Sequence, residues 1–304
     1  MTERKPTWLV TGGQGFLGTN LGRHLGTSVH RVGSARNTPS PGVASDTSTF
    51  DEWVAADLAH PDALAAWIRE HRPDVIVHAA AMATHEGCEA DPELARIINA
   101  DAPGALSAAA REAASRFILI STDAVFEGAR GNYTEEDTPA PFSVYGHTKL
   151  EGENQVLQQN PEALVVRTNF FGWSPTRTRS ILEFFVNALT NNTPVRGFTD
   201  FTVTSAYVGA LSEALEGLAS TNAKGLLHVT SPDAMSKYEF GVAVAEEFGL
   251  DQSLITPTRA DVDPPRNRDL SLDNTKVSGI LNHALQTQRG GIVRAHEAQP
   301  KGHA

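Results

Sequence analysis

Short apolar runs alternate along the chain with longer segments of helical periodicity. "TWLVTGGQGFLGTNLGRHL" predicts a strand, a glycine-rich turn and a helix with Leu17, Leu21 and Leu25 on one side. "DVIVHAAA" and "RFILIST" predict further strands, and the first is apolar at nearly every position, as in a strand covered on both faces. "PELARIINADAPGALSAAAREA" predicts a helix that Pro103 and Gly104 can bend. This alternation predicts an α/β fold, a doubly wound parallel sheet of the Rossmann type.

Beyond about residue 170 the alternation becomes irregular. "GLLHVTS" predicts one more strand, and "SPDAMSKYEFGVAVAEEFGL" predicts a helix with Ser231 before it and Gly249 at its end. These pieces suit a smaller C-terminal lobe that closes over the sheet to bind a substrate. The predicted divisions are a Rossmann domain over 1–170, re-entered near 197–230, a substrate-binding lobe over 171–290, and a flexible tail over 291–304.

The bulk composition narrows the class of partner. The chain has 304 residues and a formal net charge of -11, so neither nucleic acid nor an anionic membrane surface is an expected partner. Cys88 is the only cysteine, which excludes an internal disulfide and fits a reducing compartment. Because no apolar run has the length of a signal peptide or a membrane span, we expect a cytoplasmic protein that acts on small molecules. A homodimer is left open.

The glycine-rich turn predicts a nucleotide site. Gly12, Gly15 and Gly18 follow the first strand and open the first helix, in a G-x-x-G-x-x-G spacing. Glycines there let the backbone approach a pyrophosphate, which then lies against the helix N-terminus. A purely structural turn is the alternative.

The second strand bears on the choice of dinucleotide. A fold that selects NAD usually has an acid at the end of this strand, whereas "VGSAR" has Gly33 there, followed by Ser34 and Arg36. A cation in place of the acid favours a 2′-phosphate, and hence NADP(H). Arg36 as a solvated surface residue is the alternative.

Polar residues at a second strand end predict an active site. "RFILIST" ends in Thr122 and is followed by Asp123, at the edge where ligands bind in open α/β sheets. Tyr145 and Lys149 stand four residues apart on a predicted helix, so both can point into that space or belong to a solvated face. In the catalytic interpretation Thr122 holds a carbonyl or alcohol oxygen, Tyr145 exchanges a proton with it, and a hydride moves to or from a nicotinamide.

The magnitudes permit this chemistry. A unit charge about 4 Å from the phenol contributes about 4 kcal/mol at an effective dielectric near 20. At about 1.4 kcal/mol per unit, the charge of Lys149 would bring the pKa of Tyr145 from about 10 toward 7. Desolvation of the phenolate opposes this shift.

Together these motifs resemble the extended short-chain dehydrogenase/reductase family over nearly the whole chain. "STDAVFEG", "YTEEDTPAPFSVYGHTKLEGE" and "PRNRDLSLDNTK" look like its dTDP-4-dehydrorhamnose reductase branch. The resemblance implies Thr122, Tyr145 and Lys149 as a catalytic triad. It adds cofactor contacts to those of the turn and of the second strand. The predicted cofactor-binding set is Gly12, Gly15, Phe16, Leu17, Gly18, Ser34, Arg36, Asp57, Leu58, Ala79, Ala80, Ala81, Asn99, Tyr145 and Lys149.

The substrate pocket departs from the pattern of that branch. Ala124 replaces a bulky aromatic, and Asn169 and Phe170 stand where Ser-Trp is common. The segment "HEGCEADPE" and the residue before it can add to the pocket or form a surface loop. The predicted substrate-binding residues are Thr84, Asp123, Ala124, Asn169 and Phe170. A keto sugar other than the rhamnose precursor, or a carbonyl compound without a nucleotide, therefore fits as well.

Two further groups of residues give weaker signals of function. The histidines, among them His78, His85 and His147, are scattered over separate elements without metal-ligand spacing, so we predict no metal. Arg266 and Arg268 can clamp an anionic substrate group or belong to a solvated loop.

These observations predict an NADPH-dependent ketoreductase of a nucleotide-activated 4-keto-6-deoxy sugar or related carbonyl substrate. One alternative is an epimerase or dehydratase of the same fold, which retains its nicotinamide between half-reactions. Another is a non-catalytic regulatory subunit, since the branch also resembles the β-subunit of methionine adenosyltransferase.

Overall fold

The apolar runs form a central parallel sheet in the computed structural model, which describes residues 4–38, 49–260 and 268–300. Numbered along the chain, its strands are β1 (Thr7–Thr11), β2 (His30–Ala35), β3 (Glu52–Ala55), β4 (Val75–His78), β5 (Arg116–Thr122), β6 (Leu164–Thr168) and β11 (Gly225–His228). Within the described residues the order is β11-β6-β5-β4-β1-β2-β3. Every pairing is parallel, so the carboxyl ends of the strands share one edge. The predicted doubly wound Rossmann sheet is confirmed.

Helices cover both faces of this sheet. They are α1 (Phe16–Leu25), α2 (Asp62–His71), α3 (His85–Ala90), α4 (Pro92–Arg96), α5 (Ala102–Ala113), α6 (Val144–Gln159) and α8 (Val208–Ala219). Because side chains alternate along a strand, Leu9 joins the buried cluster with α2 and α5, whereas Val10 joins the larger cluster with α1 and α8. Burial on both faces explains the continuous apolar runs.

The long helix after β4 changes its winding in the middle. A π-helical segment, Ile97–Asp101, connects α4 to α5. Pro103 lacks the amide hydrogen that would bond the carbonyl of Asn99 four residues earlier, which explains the widened turn at this place. The irregularity expected at Pro103 and Gly104 is therefore a π segment that begins before them, and it carries Asn99.

Short strands and four helices make up the rest of the described chain. The elements are β7 (Phe170–Phe171), α7 (Ile181–Thr190), β8 (Val195–Phe198), β9 (Thr202–Val203), β10 (Ala206–Tyr207), β12 (Met235–Ser236), α9 (Lys237–Phe248), β13 (Ile255–Thr258), α10 (Thr275–Leu281) and α11 (Gln288–Glu297). Ser236, not the predicted Ser231, caps α9, because Ser236 and Glu239 form a reciprocal capping box. Gly249 ends that helix in a left-handed conformation, as predicted.

The expected tail over 291–304 is wrong for its first part. Residues 291–297 belong to α11, whose Ile292 and Ala295 are buried. The indole of Trp173 donates a hydrogen bond of 2.7 Å to the carbonyl of Ala295. These contacts hold the helix against the lobe, whereas residues 301–304 lie outside the described residues. The domain boundary near residue 170 stays a prediction.

The described helices were also compared with the requirements of a membrane span. None of them is both long enough and apolar enough to cross a bilayer.

Candidate active site

The glycine-rich turn leaves the end of β1 open. Gly12 has φ of 69°, in the left-handed region that favours glycine. A Cβ on Gly18 would overlap the carbonyl oxygen of Gly12, so the third glycine lets α1 begin directly against the turn. The amide of Gly13 donates to the carbonyl of Ser34 at 3.0 Å, which ties the turn to β2. This close backbone packing is the geometry that a bound pyrophosphate requires.

A cavity of about 410 Å³ opens at this turn, over the ends of β1, β2 and β4. Predicted cofactor-binding residues in its wall are Gly12, Gly15, Ser34, Arg36, Leu58, Ala80 and Ala81. The wall also contains residues that the sequence interpretation missed, namely Gln14, Ala35, Ala56, Met82, Leu94 and Ile98. Of these, Leu94 and Ile98 could have been identified from the sequence, because they stand four residues apart on one helix face. The other predicted cofactor residues do not line this cavity: Phe16, Leu17, Gly18, Asp57, Ala79, Asn99, Tyr145 and Lys149.

Arg36 lies at the rim of this cavity. Its side chain is 68% exposed, and its Nε is 3.8 Å from Oδ1 of Asp57. This pair with Asp57 is loose and exposed, so it competes weakly with an anion for the guanidinium. Its role toward a 2′-phosphate stays a prediction.

Tyr145 and Lys149 stand on the first two turns of α6, which packs against the end of β5. Ser143 caps this helix by accepting from the amide of Gly146 at 3.2 Å. The ammonium of Lys149 is buried and donates to the carbonyl of Ile120 at 2.7 Å. A Cβ on Gly146 would overlap the carbonyl oxygen of Ala124, so this glycine permits the close approach. The face that carries Tyr145 and Lys149 is therefore not a solvated face.

Asn99 supports this helix from the π segment. Its side chain accepts from the amide of Met82 at 2.9 Å and donates to the carbonyl of Met82 at 3.0 Å. It also donates to the hydroxyl of Thr148 at 3.1 Å, and that hydroxyl donates to the carbonyl of Tyr145. Asn99 thus connects Met82, in the wall of the first cavity, to the helix that carries Tyr145.

Thr122 and Asp123 lie opposite Tyr145, at the carboxyl end of β5. The Thr122 hydroxyl donates to Oδ1 of Asp123 and accepts from the amide of Ala124, both at 3.1 Å. The side-chain amide of Asn169 donates to the other carboxylate oxygen of Asp123 at 2.9 Å. The hydroxyl of Ser205 donates to the side-chain oxygen of Asn169 at 3.0 Å. This chain of hydrogen bonds fixes the wall of the site.

Burial controls the protonation of the site. It raises the pKa of Tyr145 to about 12, assisted by the charge of Asp123 and opposed by hydrogen bonding to Thr122. The lowering toward 7 that the Tyr145–Lys149 spacing predicted is therefore wrong, because desolvation of the phenolate dominates. Burial also lowers the pKa of Lys149 to about 8 and raises that of Asp123 to about 6. At neutral pH the phenol is protonated and can donate a proton.

A second cavity, of about 340 Å³, has Tyr145 in its wall. Thr122 and Tyr145 line it together with the predicted Asp123, Ala124, Asn169 and Phe170. Thr84 lies outside the lining, whereas the neighbouring His85 faces the Tyr145 ring with 5.6 Å between centroids. The lining also contains residues after residue 170 that were not predicted, among them Arg179, Ser180, Phe201, Ser205, Lys237 and Gln288. They come from separate segments with no common local pattern.

Arg266 lies outside the described residues, and Arg268 is 3.7 Å from the carboxylate of Asp200. Across the described ranges there is no group of three or more histidine, cysteine or acidic side chains that could hold a metal ion.

Comparison with known proteins identifies relatives over nearly the whole chain. A family model described as the RmlD substrate binding domain matches residues 7–299. The "Probable low-salt glycan biosynthesis reductase Agl14" of Haloferax volcanii is 33% identical over 297 residues, which cover 95% of this chain and 97% of that protein. The "Methionine adenosyltransferase 2 subunit beta" of Pongo abelii is 30% identical over 284 residues, 90% of this chain and 82% of that protein.

Solved structures share the fold. A dTDP-4-dehydrorhamnose reductase from Bacillus anthracis, crystallised in complex with NADP, superposes with a TM-score of 0.82 at 20% identity. The superposition covers 97% of this chain and all of that one, 100%. The shared fold therefore extends beyond the central sheet to the elements after residue 170.

The buried carboxyl of Asp123 should make stability depend on pH. Its folded-state pKa, about 6, lies above the ordinary value of 3.8, so its protonation favours the folded state below about pH 4, and this contribution is lost as pH rises through 6. Asp123→Asn should therefore be more stable than the unmutated protein at pH 8, by about 1 to 3 kcal/mol, and the gain should vanish toward pH 4. Urea unfolding at both pH values measures this difference.

Asp51→Asn is the matched control, with the opposite sign. Hydrogen bonds from Arg31 lower the pKa of Asp51 to about 2, so this variant should lose stability at pH 8 and recover as pH falls toward 2. A gain for Asp123→Asn of equal size at pH 8 and pH 4 would show that Asp123 is not strained by burial.

Proposed function

The chain belongs to the family of the RmlD substrate binding domain, and from this membership we propose that it reduces a nucleotide-activated keto sugar with NADPH. It is an NAD(P)-dependent oxidoreductase of the dTDP-4-dehydrorhamnose reductase type. The proposed substrate carries a 4-keto-6-deoxy sugar or a related carbonyl group. The observation that carries the proposal is that Thr122 and Tyr145 line one cavity together, while buried Lys149 bonds to the strand that ends in Thr122.

The first cavity suits NADPH. Because Gly12 has no side chain and the alanines of the wall have small ones, the cavity stays open. Arg36 offers a guanidinium at its rim. The neighbouring structure from Bacillus anthracis is in complex with NADP, which supports the same cofactor here. A 2′-phosphate would compete with Asp57 for Arg36.

The second cavity suits a carbonyl group at Tyr145. When bound, NADPH supplies the hydride that forms the new C–H bond at the carbonyl carbon. In the proposed step the phenol of Tyr145 gives its proton to the carbonyl oxygen, and the Thr122 hydroxyl turns from Asp123 to donate its hydrogen bond to that oxygen. Buried Lys149, whose ammonium bonds to the carbonyl of Ile120, adds a positive charge on the helix face that carries Tyr145. Ketone plus hydride plus proton gives the alcohol.

The wall of the cleft supports a substrate other than the rhamnose precursor. Ala124 leaves space where the resembling enzymes have a bulky ring, and Asn169 is held by its bonds to Asp123 and Ser205. We therefore expect turnover of dTDP-4-dehydrorhamnose to be weak beside that of the true substrate.

One second candidate rests on a specific observation. The 30% identity with a methionine adenosyltransferase β-subunit supports a regulatory role without catalysis. Binding of NADPH without consumption by any keto sugar, together with copurification of an unrelated enzyme, would favour it. An epimerase or dehydratase would interconvert sugars without net use of NADPH.

The first prediction concerns the cofactor. NADPH should bind more tightly than NADH, and Arg36→Ala should narrow that gap by about 1.5 to 3 kcal/mol, because it removes a charge-assisted hydrogen bond to the 2′-phosphate. Arg69→Ala is the matched control, since it makes the same change in net charge on α2. Fluorescence titration measures both affinities. Equal affinities for NADPH and NADH in the unmutated protein would rule out the assignment.

The second prediction concerns the proton donor. Tyr145→Phe keeps the ring and removes the hydroxyl, so folding and NADPH binding should survive while kcat falls by about 10² to 10⁴. Tyr207→Phe, a matched change at a buried tyrosine on β10, should leave kcat near normal. Steady-state NADPH oxidation across a panel of keto sugars measures this. A Tyr145→Phe protein within a few-fold of the unmutated rate would exclude Tyr145 as the donor.

A further inference from the structure

A buried acid–base pair lies directly beneath the proposed site. The carboxylate of Glu153 on α6 accepts two hydrogen bonds from Arg167 on β6, at 2.6 Å from Nη2 and 2.9 Å from Nε. The two side chains are 2% and 1% exposed. Neither the proposed proton transfer nor the two cavities uses this pair.

Stability alone is a weak reason for such a pair. Desolvation of two charges costs several kcal/mol for each ion, and apolar residues of similar volume are often at least as stable. In addition, Nη1 of Arg167 has no hydrogen-bond partner in the described structure, and the guanidinium lies 5.1 Å from the centre of the Phe126 ring. The presence of the Glu153 carboxylate despite this desolvation cost indicates that it has a role in the neighbouring site.

The carboxylate connects both sides of the site. Glu153 stands one helical turn beyond Lys149 and two beyond Tyr145, so the three share one face of α6. Its Oε1 also accepts a hydrogen bond of 2.5 Å from the hydroxyl of Ser121, the residue before Thr122. Glu153 therefore touches the strand end that carries Thr122 and faces the helix turn that carries Lys149.

We propose that Glu153 is a positioning residue, which fastens the end of β5 through Ser121 and supplies the negative charge that faces Lys149 from below. Its consequence for catalysis rests on the proposed function, whereas its effect on Lys149 does not. Glu153 does not touch the reacting atoms. Arg167 holds the carboxylate in place from β6.

The charged groups around Lys149 leave Glu153 as its counterion. From β4, His78 faces the ammonium, but burial and the charge of Lys149 lower the pKa of this histidine to about 3, so it is neutral. After β5, Asp123 acts on Tyr145. On the helix itself, Glu153 raises the pKa of Lys149 against the larger effect of burial. Arg167, from β6, is already paired with Glu153.

The direct test is the titration of Lys149 by NMR. The chain has six lysines, so selective labelling of lysine Cε and Nζ gives few signals, and Lys149→Met assigns the one at this position. In the unmutated protein Lys149 should titrate near 8. In Glu153→Gln its pKa should fall by about one unit or more, because an opposite charge is removed. Glu153→Asp, which retains the charge, should restore most of the difference.

Two further variants keep the test decisive. Glu153→Gln leaves Arg167 buried without its partner, so this variant can fail to fold. In that case the double variant Glu153→Gln with Arg167→Met provides the test, and we expect the pKa of Lys149 to fall in it as well. Asp51→Asn, which breaks the pair with buried Arg31 on β2, should leave Lys149 unchanged. An unchanged Lys149 titration in the folded Glu153 variants overturns the proposal.

The activity readout separates this proposal from the proposed function. With a keto sugar that the unmutated enzyme reduces, the alkaline limb of kcat should move to lower pH in Glu153→Gln, by the same amount as the NMR titration. A Lys149 titration that moves while no keto sugar is reduced by any form would contradict the proposed function and support the role of Glu153. A purely structural Glu153 would lower the melting temperature and leave the pH profile in place, which would also overturn the proposal.

Discussion

The close contact between α6 and the carboxyl end of β5 is the constraint on which the site depends. Lys149 reaches the carbonyl of Ile120 only because α6 lies directly against the strand, and Gly146 makes that approach sterically possible. A Cβ on Gly152 would overlap the carbonyl of Asn99 in the π segment, so the helix is fitted between two backbones. Thr122 and Tyr145, which meet at this contact, both line the second cavity. A helix set even slightly further out would separate Thr122 from Tyr145.

Burial at this contact determines the proton chemistry. A phenol whose pKa is about 12 is a poor base at neutral pH but holds its proton for transfer to an oxygen that becomes an alkoxide. Lys149, near 8, is close to losing its charge, so the groups that face it decide its protonation. A protonated phenol suits the proposed step, in which the carbonyl oxygen accepts a proton as the ketone becomes an alcohol.

Local sequence patterns predicted the elements well, because the sheet and the glycine-rich turn depend on local periodicity and on backbone freedom. The capping box of Ser236 and Glu239 was also readable, and Ser231 was the wrong choice because it has no acid three residues later. Helix α11 could not be recognised, since much of its sequence is polar and its burial depends on Trp173. The predicted lowering of the Tyr145 pKa was wrong because spacing along a helix does not reveal the depth of burial, which dominates here. The lobe side of the cleft was missed because it is assembled from distant segments such as those of Phe201 and Gln288.

The central claim is that the chain transfers hydride from NADPH to a carbonyl carbon. A single-turnover reaction with NADPH deuterated at the transferred position, and a 4-keto-6-deoxy nucleotide sugar in excess, tests it directly. The account predicts one NADP⁺ formed for each product molecule, with the deuterium bound to the former carbonyl carbon. Sugar conversion with the label retained on the cofactor and no net NADPH consumed, or no conversion across a panel of such sugars, would contradict it.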